Sequence, residues 1–352
     1  MKLKKIILLC ILFLVLILIS NPEMLYISGI SYDQAEILLR SEDINDTLKD
    51  KNIDEGIKNQ LKSVPDIMAF GDEAGFPKTR AYSKYSPLNR EVLYYSLSGS
   101  KKDGFEEYLW NWPIIGSIPY KGFIHIEETK KDEAELRKSG YDTLIGRSRT
   151  MSTLGILPDP IITPMIDKND PTELIYVIFH ERTHQLFFRK NEVTFNENAA
   201  VLLGTLTSLE FFKTKFGPQS TEYRTQIEKL DDIIIFSNFI DNLYNELNVL
   251  YSKNISREEK LRGRDVLFQK HAALFKASIK PELKGLFIGF DRQEINNAYI
   301  LSYYRYYGKV HIYIQVHEKL GNDLNKTLAF FKNAASSKEN PDNLVDNILE
   351  HE

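Results

Sequence analysis

The sequence predicts an α+β protein that is mainly α, with a small β-containing N-terminal region and a helical C-terminal half. Apolar residues recur at helical spacing through most of residues 170–331, whereas strand-like runs fall mainly within residues 91–128. Hydrophobic residues make up 43% of the chain and charged residues 27%, which is ordinary for a folded protein and argues against general disorder.

Residues 1–22 have the composition of a targeting segment. Lysines at positions 2, 4 and 5 precede an apolar run from Ile6 to Ile19, and Pro22 follows it. As a helix this run spans about 21 Å, less than the ~30 Å of a bilayer core, so a cleaved signal peptide and a short membrane anchor are both open. The segment lacks cleavage-site spacing and Cys10 lacks a lipid-attachment motif, which favours the anchor. Because the lysines belong in the cytoplasm, we expect the rest of the chain to be exported: anchored facing the periplasm or exterior, or secreted if the segment is cleaved.

Residues 23–150 are the predicted N-terminal α/β region. Helical spacing from Tyr32 to Lys62 favours two or three short helices. Strand-like runs follow at Val92–Leu97 and Phe123–Ile126, separated by prolines and glycines. Just beyond this region, Ser152–Leu157 runs into two prolines and is interpreted as an edge strand.

Residues 151–335 are the predicted helical region. Asp170, Pro171 and Glu173 are typical of a capped helix start, so one helix is expected from there to about Phe188. Further helices are expected at 196–216, at 221–251 and 257–278 as a hairpin, and between 294 and 331. Residues 336–352 are polar, and we expect a mobile tail there.

Charge and cysteine content exclude two kinds of site. The net charge of −4 comes without any block of basic residues, so no nucleic-acid partner is expected. Cys10 is the single cysteine of the chain, which excludes intrachain disulfides and cysteine-rich metal sites. Any metal ion must therefore be held by histidine and carboxylate side chains.

One motif carries recognisable chemistry: an HExxH sequence from His180 to His184, inside the helix predicted from residue 170. Residues four apart lie on the same face of a helix, so His180 and His184 can present imidazole nitrogens to one ion, with Glu181 beside them as a general base. With 7 histidines in the chain, such a match arises by chance on the order of once in a hundred sequences. The motif predicts a zincin-like metallopeptidase, in which Arg182 must point away from the site.

A catalytic zinc site has three protein ligands, so a third one is needed. Glu197 is our prediction, because a short connection after residue 188 folds the next helix back over the first. Small residues on that helix, including Gly204, would permit a close approach. Glu192, in the connection, and Glu210, about four turns further along, are the alternatives.

Several separated motifs together resemble a bacterial family of zinc aminopeptidases that are membrane-associated or lipoproteins, with gluzincin-like chemistry. The resemblance covers nearly all of the exported part. The motifs are Trp112–Gly116, Tyr120–Phe123, Ser152–Gly155 with Asp159–Pro160, His180–Gln185, Phe195–Glu197 and Asn296–Ala298.

The resemblance implies one zinc ion per chain, held by His180, His184 and Glu197. It implies Glu181 as the general base and peptides as substrates. Tyr306, within a tyrosine cluster after residue 297, would donate a hydrogen bond to the oxyanion.

Three residues outside the HExxH helix are predicted to bind substrate. Leu154 and Gly155 could offer backbone groups to an extended peptide as an added strand. Asn297, in the last of the motifs, is assigned to substrate binding as well.

Two other functions stay open from the sequence. The first is a membrane-tethered, catalytically inactive protein that only binds peptides. The second is a zinc hydrolase of non-peptide amides, such as cell-wall fragments, which would share every site residue.

Overall fold

The computed structural model of the protein describes residues 22–112, 116–150, 152–153 and 155–350. The predicted targeting segment lies outside these residues except for Pro22. Within the described part of the chain, no helix is both long and apolar enough to cross a membrane.

The N-terminal part consists of short helices around small sheets. Its helices are α1 (Pro22–Leu39), α2 (Ile44–Thr47), α3 (Glu55–Leu61), α4 (Val64–Glu73) and α5 (Ile126–Lys138). The side chains of Asp43 and Asp54 accept backbone N–H bonds in the first turns of α2 and α3, which explains where these two helices begin.

Polar contacts at Tyr26 and Asp33 fix helix α1 to the rest of the protein. The Tyr26 hydroxyl donates a hydrogen bond to the Gly122 carbonyl at 2.5 Å. The Arg90 guanidinium donates to both carboxylate oxygens of Asp33, at 2.7 and 3.0 Å. A bidentate pair of this kind holds both orientation and distance, so α1 packs as part of the folded body.

In the part of the chain that the structure describes, the strands form three small sheets. They are β1 (Glu42–Asp43), β2 (Lys84–Ser86), β3 (Tyr94–Lys101), β4 (Trp110–Trp112), β5 (Gly116–Ile118), β6 (Tyr120–Phe123), β7 (Tyr141–Ser148) and β8 (Ile161–Ile162). In the main sheet β3 lies between β6 and β7, antiparallel to both. The predicted strand at Val92–Leu97 corresponds to β3, but the one at Phe123–Ile126 is displaced, because Phe123 ends β6 and Ile126 begins α5.

The C-terminal half is helical, as predicted, and together with the small sheets makes the fold α+β and mainly α. Its helices are α6 (Glu173–Leu186), α7 (Val193–Phe216), α8 (Thr221–Tyr251), α9 (Arg257–Leu274), α10 (Asn297–Tyr307), α11 (Val310–Lys319), α12 (Leu324–Ser336) and α13 (Pro341–Glu350). Helix α6 begins two residues later than predicted, at Glu173 and not at Pro171. The Asp170 side chain accepts a hydrogen bond from the Thr172 backbone N–H and so closes the turn before the helix.

Buried side chains from both halves of the chain share one core. Ile37 of α1 and Ile67 of α4 belong to the same cluster as Ile178 of α6 and Phe212 of α7. The boundary predicted at residue 150 therefore does not separate two independent cores. Helices α6 and α7 lie where the N-terminal part meets the helical half.

Two predictions about local structure are wrong. Ser152–Leu157 is not an edge strand in its described residues. Both the backbone N–H and the hydroxyl of Thr153 donate to the Asp159 carboxylate, at 2.7 and 2.9 Å, and this turns the segment back on itself.

In place of the mobile tail predicted from residue 336, the chain forms the end of α12 and then α13. Val345 of α13 is 2% exposed and packs with α7 and the helices around it. Leu344, Ile348 and Leu349 pack against the same cluster. The overall polarity of the segment hid an apolar stripe that is visible only at helical spacing.

Candidate metal centre

Helices α6 and α7 pack antiparallel and very close together. A Cβ atom on Gly204 of α7 would lie 3.0 Å from the His180 backbone nitrogen and 3.1 Å from its Cα. Real side chains rarely come so close, so the approach depends on glycine at this position. Ala199 and Ala200, on the same helix, are completely buried.

This packing brings three side chains together. Glu197 Oε2 lies 3.4 Å from His180 Nε2 and 3.4 Å from His184 Nε2. One ligand atom of each of the three residues lies within 4.8 Å of the ligand atoms of the other two. Among the described residues, neither Glu192 nor Glu210 belongs to this group.

The three side chains fit a zinc ion in type and spacing. Two histidines and one carboxylate are a known donor set for catalytic zinc. Ligand atoms at about 2.05 Å from a tetrahedral ion are separated by about 3.3 Å, close to the 3.4 Å between the glutamate oxygen and each histidine nitrogen. His180, His184 and Glu197 could therefore hold a metal ion with little movement.

The charges of the group suit metal binding. Burial opposes ionisation of Glu197, but hydrogen bonds from His180 and His184 prevail and lower the pKa of this carboxyl to about 2. Glu197 is therefore a carboxylate at neutral pH, which is the ligating form. The other ring nitrogen of His180, Nδ1, lies 3.4 Å from the Tyr176 hydroxyl, a contact that orients the imidazole.

Glu181 and Tyr306 border the same site. Glu181 is largely buried and accepts a hydrogen bond from the Thr150 hydroxyl at 3.3 Å. The Tyr306 ring stacks on the His180 ring, with centroids 6.4 Å apart and planes at 22°. Burial, followed by the charge of Glu197, raises the pKa of Tyr306, so its phenol keeps its proton and remains a hydrogen-bond donor.

Arg182 points away from the site, as the motif requires. Its side chain is completely buried against α4, where it donates to the Asp72 carboxylate at 2.6 Å and to the Met68 carbonyl at 2.9 Å. It also donates to the Pro77 carbonyl at 3.1 Å. The charge inside the motif thus links α6 to α4 and does not enter the candidate metal site.

Comparison with known proteins identifies the family. The family described as "Putative aminopeptidase" matches residues 25–344. The chain belongs to this family. No curated protein and no solved structure matches the chain.

The predicted substrate-binding residues of this family member have different outcomes. Gly155, at φ +79°, lies beside Gln185, the residue after His184, so it is near the candidate centre. Leu154 lies outside the described residues.

The structure contradicts the predicted role of Asn297 in substrate binding. Its side chain is completely buried, donates to the Lys101 and Gly104 carbonyls and accepts from the Tyr251 hydroxyl. An amide committed in this way holds the loop after β3 and has no free group for a substrate.

Three neighbours of the centre were missed by the sequence analysis. Tyr176 precedes His180 by one helical turn, a spacing that could have flagged it. Thr150 approaches Glu181 only through the folding of a loop. Tyr120 belongs to one of the motifs named above, but its position near Glu197 follows from long-range packing. Burial, followed by the charge of Glu197, raises the pKa of the Tyr120 phenol.

Proposed function

We propose that this member of the family is a zinc-dependent aminopeptidase, with one zinc ion per chain held by His180, His184 and Glu197. The observation that carries the proposal is the position of Glu197 Oε2, 3.4 Å from the Nε2 atoms of both histidines. The family description supports the aminopeptidase activity. Zinc in such a site would act as a Lewis acid, lowering the pKa of a coordinated water towards ~7 and polarising the substrate carbonyl.

Glu181 is the proposed general base. It accepts a proton from the attacking water and delivers it to the departing amine. The Thr150 hydroxyl, 3.3 Å away, orients the carboxylate for this exchange. Because Thr150 can donate to only one oxygen at a time, the other carboxylate oxygen remains available to the water.

Tyr306 is the proposed donor to the oxyanion that develops as the peptide carbonyl is attacked. Its phenol is protonated at neutral pH, and its ring stacks near His180. Burial, followed by the negative charge of Glu197, raises the pKa of this phenol. A protonated phenol can stabilise an oxyanion without giving up the proton.

Peptides are the proposed substrates, and the proposed location is outside the cytoplasmic membrane. The lysine-flanked apolar run of residues 1–22 supports export and attachment to the membrane. The lack of a basic block supports the absence of a nucleic-acid partner.

The test compares metal content and activity in the purified full-length chain and two variants. The wild type should contain about one zinc per chain and hydrolyse peptides with a free N-terminus, but not their N-acetylated forms. Glu181→Gln should keep the zinc and lose about 10²- to 10⁴-fold in turnover, because it removes the base and no ligand. The double variant His180→Ala, His184→Ala should lose both.

Elemental analysis and release of the N-terminal residue give the two readouts. A wild type without metal under metal-replete conditions would contradict the zinc site. Cleavage of N-acetylated peptides at the same rate would contradict the aminopeptidase assignment alone. Loss of zinc in Glu181→Gln would show that Glu181 is a ligand or a structural residue.

A further inference from the structure

A cavity lies at the far end of α7 from the candidate metal centre. Its volume is about 930 Å³, and it lies among α4, α7, α8, α11 and the loop into α12. Glu210, one of its lining residues, follows Glu197 by thirteen positions, about 20 Å along a helix that rises 1.5 Å per residue. The cavity is therefore separate from the catalytic groups.

The lining combines apolar side chains with carboxylates. Leu206, Leu209, Leu230 and Ile314 supply apolar surface. Four acidic residues border the same space: Glu73, Glu210, Glu318 and Asp323. This volume is within the range of ligand-binding cavities.

The negative charge of this lining is compensated only in part, since Asp323 lies 3.9 Å from the Lys326 ammonium. Lys213 is the lysine of the lining, and it forms an ion pair with Glu210 at 3.1 Å. Within the described residues, Glu73 and Glu318 form no ion pair. The cavity therefore attracts cations.

His317 adds a buried acceptor to the cavity. It is 8% exposed, and its Nδ1 lies 2.7 Å from the Thr327 hydroxyl. That hydroxyl donates its one proton to the Asp323 carbonyl at 2.8 Å, so it must accept the other bond, from His317 Nδ1–H.

In neutral His317 the proton on Nδ1 leaves Nε2 as an acceptor without a partner among the described residues. Burial lowers the pKa of His317, although Glu318, Glu210 and Asp323 act against it, and this favours the neutral form. Apart from Lys213 and the phenol of Tyr223, the ionisable side chains of the cavity thus offer acceptors, which a donor-rich ammonium or guanidinium group would satisfy.

We propose that this cavity binds a basic peptide segment, in which a lysine or arginine side chain is flanked by apolar residues. The cation faces Glu73, Glu318 and His317, and the apolar residues contact the leucines of α7 and α8. The charge of the rim selects the cation, and the apolar lining selects a peptide over a simple polyamine. This site is independent of the proposed hydrolysis.

The test measures binding of N-acetyl-Leu-Lys-Leu-Leu-Lys-Leu-amide to the full-length chain by calorimetry in a neutral detergent. The protein used carries the substitution Glu181→Gln, so that the peptide is not cleaved during the measurement. The double variant Glu73→Gln, Glu318→Gln should weaken binding at least tenfold, because it removes the two unpaired charges. Thr214→Trp, an exposed α7 position on the cavity, should prevent binding by filling it.

A matched control removes the same charge elsewhere. Glu128→Gln, Glu258→Gln changes two exposed residues that do not line the cavity and should leave affinity within twofold. A peptide with glutamine in place of lysine should bind at least tenfold more weakly. Circular dichroism and thermal melting must show that each variant is folded.

Five results would overturn the proposal. The first four are no binding of the basic peptide at millimolar concentration, equal binding of the glutamine peptide, equal weakening by the control and cavity variants, and spermine binding as tightly as the peptide. Loss of binding in a His180→Ala, His184→Ala variant, with the cavity variants unaffected, would place the peptide at the metal centre and overturn it as well.

Discussion

Helix α7 carries a glutamate near each end, and the two are in very different surroundings. Glu197 is 17% exposed and faces two histidines across the closest part of the α6–α7 contact. Glu210 is 43% exposed, pairs with Lys213 one turn away and borders an apolar cavity. The two glutamates on α7 thus differ in their chemistry because different groups face them: histidines of α6 face Glu197, and Lys213 and the cavity lie beside Glu210.

The largest expected difference between the two ends is in metal binding. Glu197→Ala should weaken zinc affinity by more than about 100-fold, beyond the 10- to 100-fold typical of residues that only support a ligand. Glu210→Ala and Glu192→Ala should leave affinity within about twofold. Zinc titration against a competing chelator measures the three constants, and equal losses in Glu197→Ala and Glu210→Ala would contradict the assignment.

A smaller effect is expected at the tyrosine that stacks on His180. Tyr306→Phe should lower kcat by about 100-fold, the lower range for loss of one oxyanion donor, and leave zinc content unchanged. The ring and its stacking are retained, so any loss reports on the hydroxyl. Tyr303→Phe, whose ring packs against the core cluster that contains Phe236, is the control, and equal rates in both variants would remove Tyr306 from the mechanism.

The closeness of the helices can be tested at Gly204. Gly204→Ala should destabilise the protein by about 2 kcal/mol, because the new methyl group would lie 3.0 Å from the His180 backbone. It should also weaken zinc binding, since the helices must separate. Gly285→Ala, where nothing lies within 4 Å, is the control for chemical denaturation. A free energy of unfolding of Gly204→Ala equal to that of the wild type would show that a methyl group fits between α6 and α7.

The smallest effect is expected where Arg182 joins α6 to α4. Asp72→Asn should cost about 1.5 kcal/mol of folding free energy, because it leaves the completely buried guanidinium without its anion. The cost is below that of a fully buried pair because Asp72 is 35% exposed. Asp66→Asn, in the exposed pair with Lys215, should cost under about 0.5 kcal/mol. Similar costs for the two would mean that Arg182 finds other partners.

The grouping of His180, His184 and Glu197 was predictable because it depends on short-range geometry. His180 and His184 share a helix face at any packing, and the short connection before α7 leaves Glu197 few positions to occupy. Zinc binding itself stays a prediction. The main helices were predictable from apolar spacing for the same reason.

What the sequence could not predict depends on contacts between distant residues. The Asn297 amide is bonded to a loop almost two hundred residues earlier in the chain, and no local pattern shows this. The turn at Thr153 is closed by Asp159, and α13 becomes visible only once its apolar stripe has a surface to cover. The cavity beside Glu210 is formed by five separate elements and has no sequence signature.

Under the proposed attachment to a membrane, helix α1 would limit how far the protein can reach from the lipid surface. It begins at Pro22 and is held to the body by Tyr26 and Asp33, so no flexible spacer separates residue 22 from the catalytic groups. A flexible linker of n residues would let the folded body move about 5–6 Å × √n away from its point of attachment. Because α1 packs on the body, this distance is close to zero for the segment after residue 22. Under the proposed attachment to a membrane, the protein would therefore process peptides that diffuse along or onto the lipid surface, and its working volume would be a layer about one molecule thick.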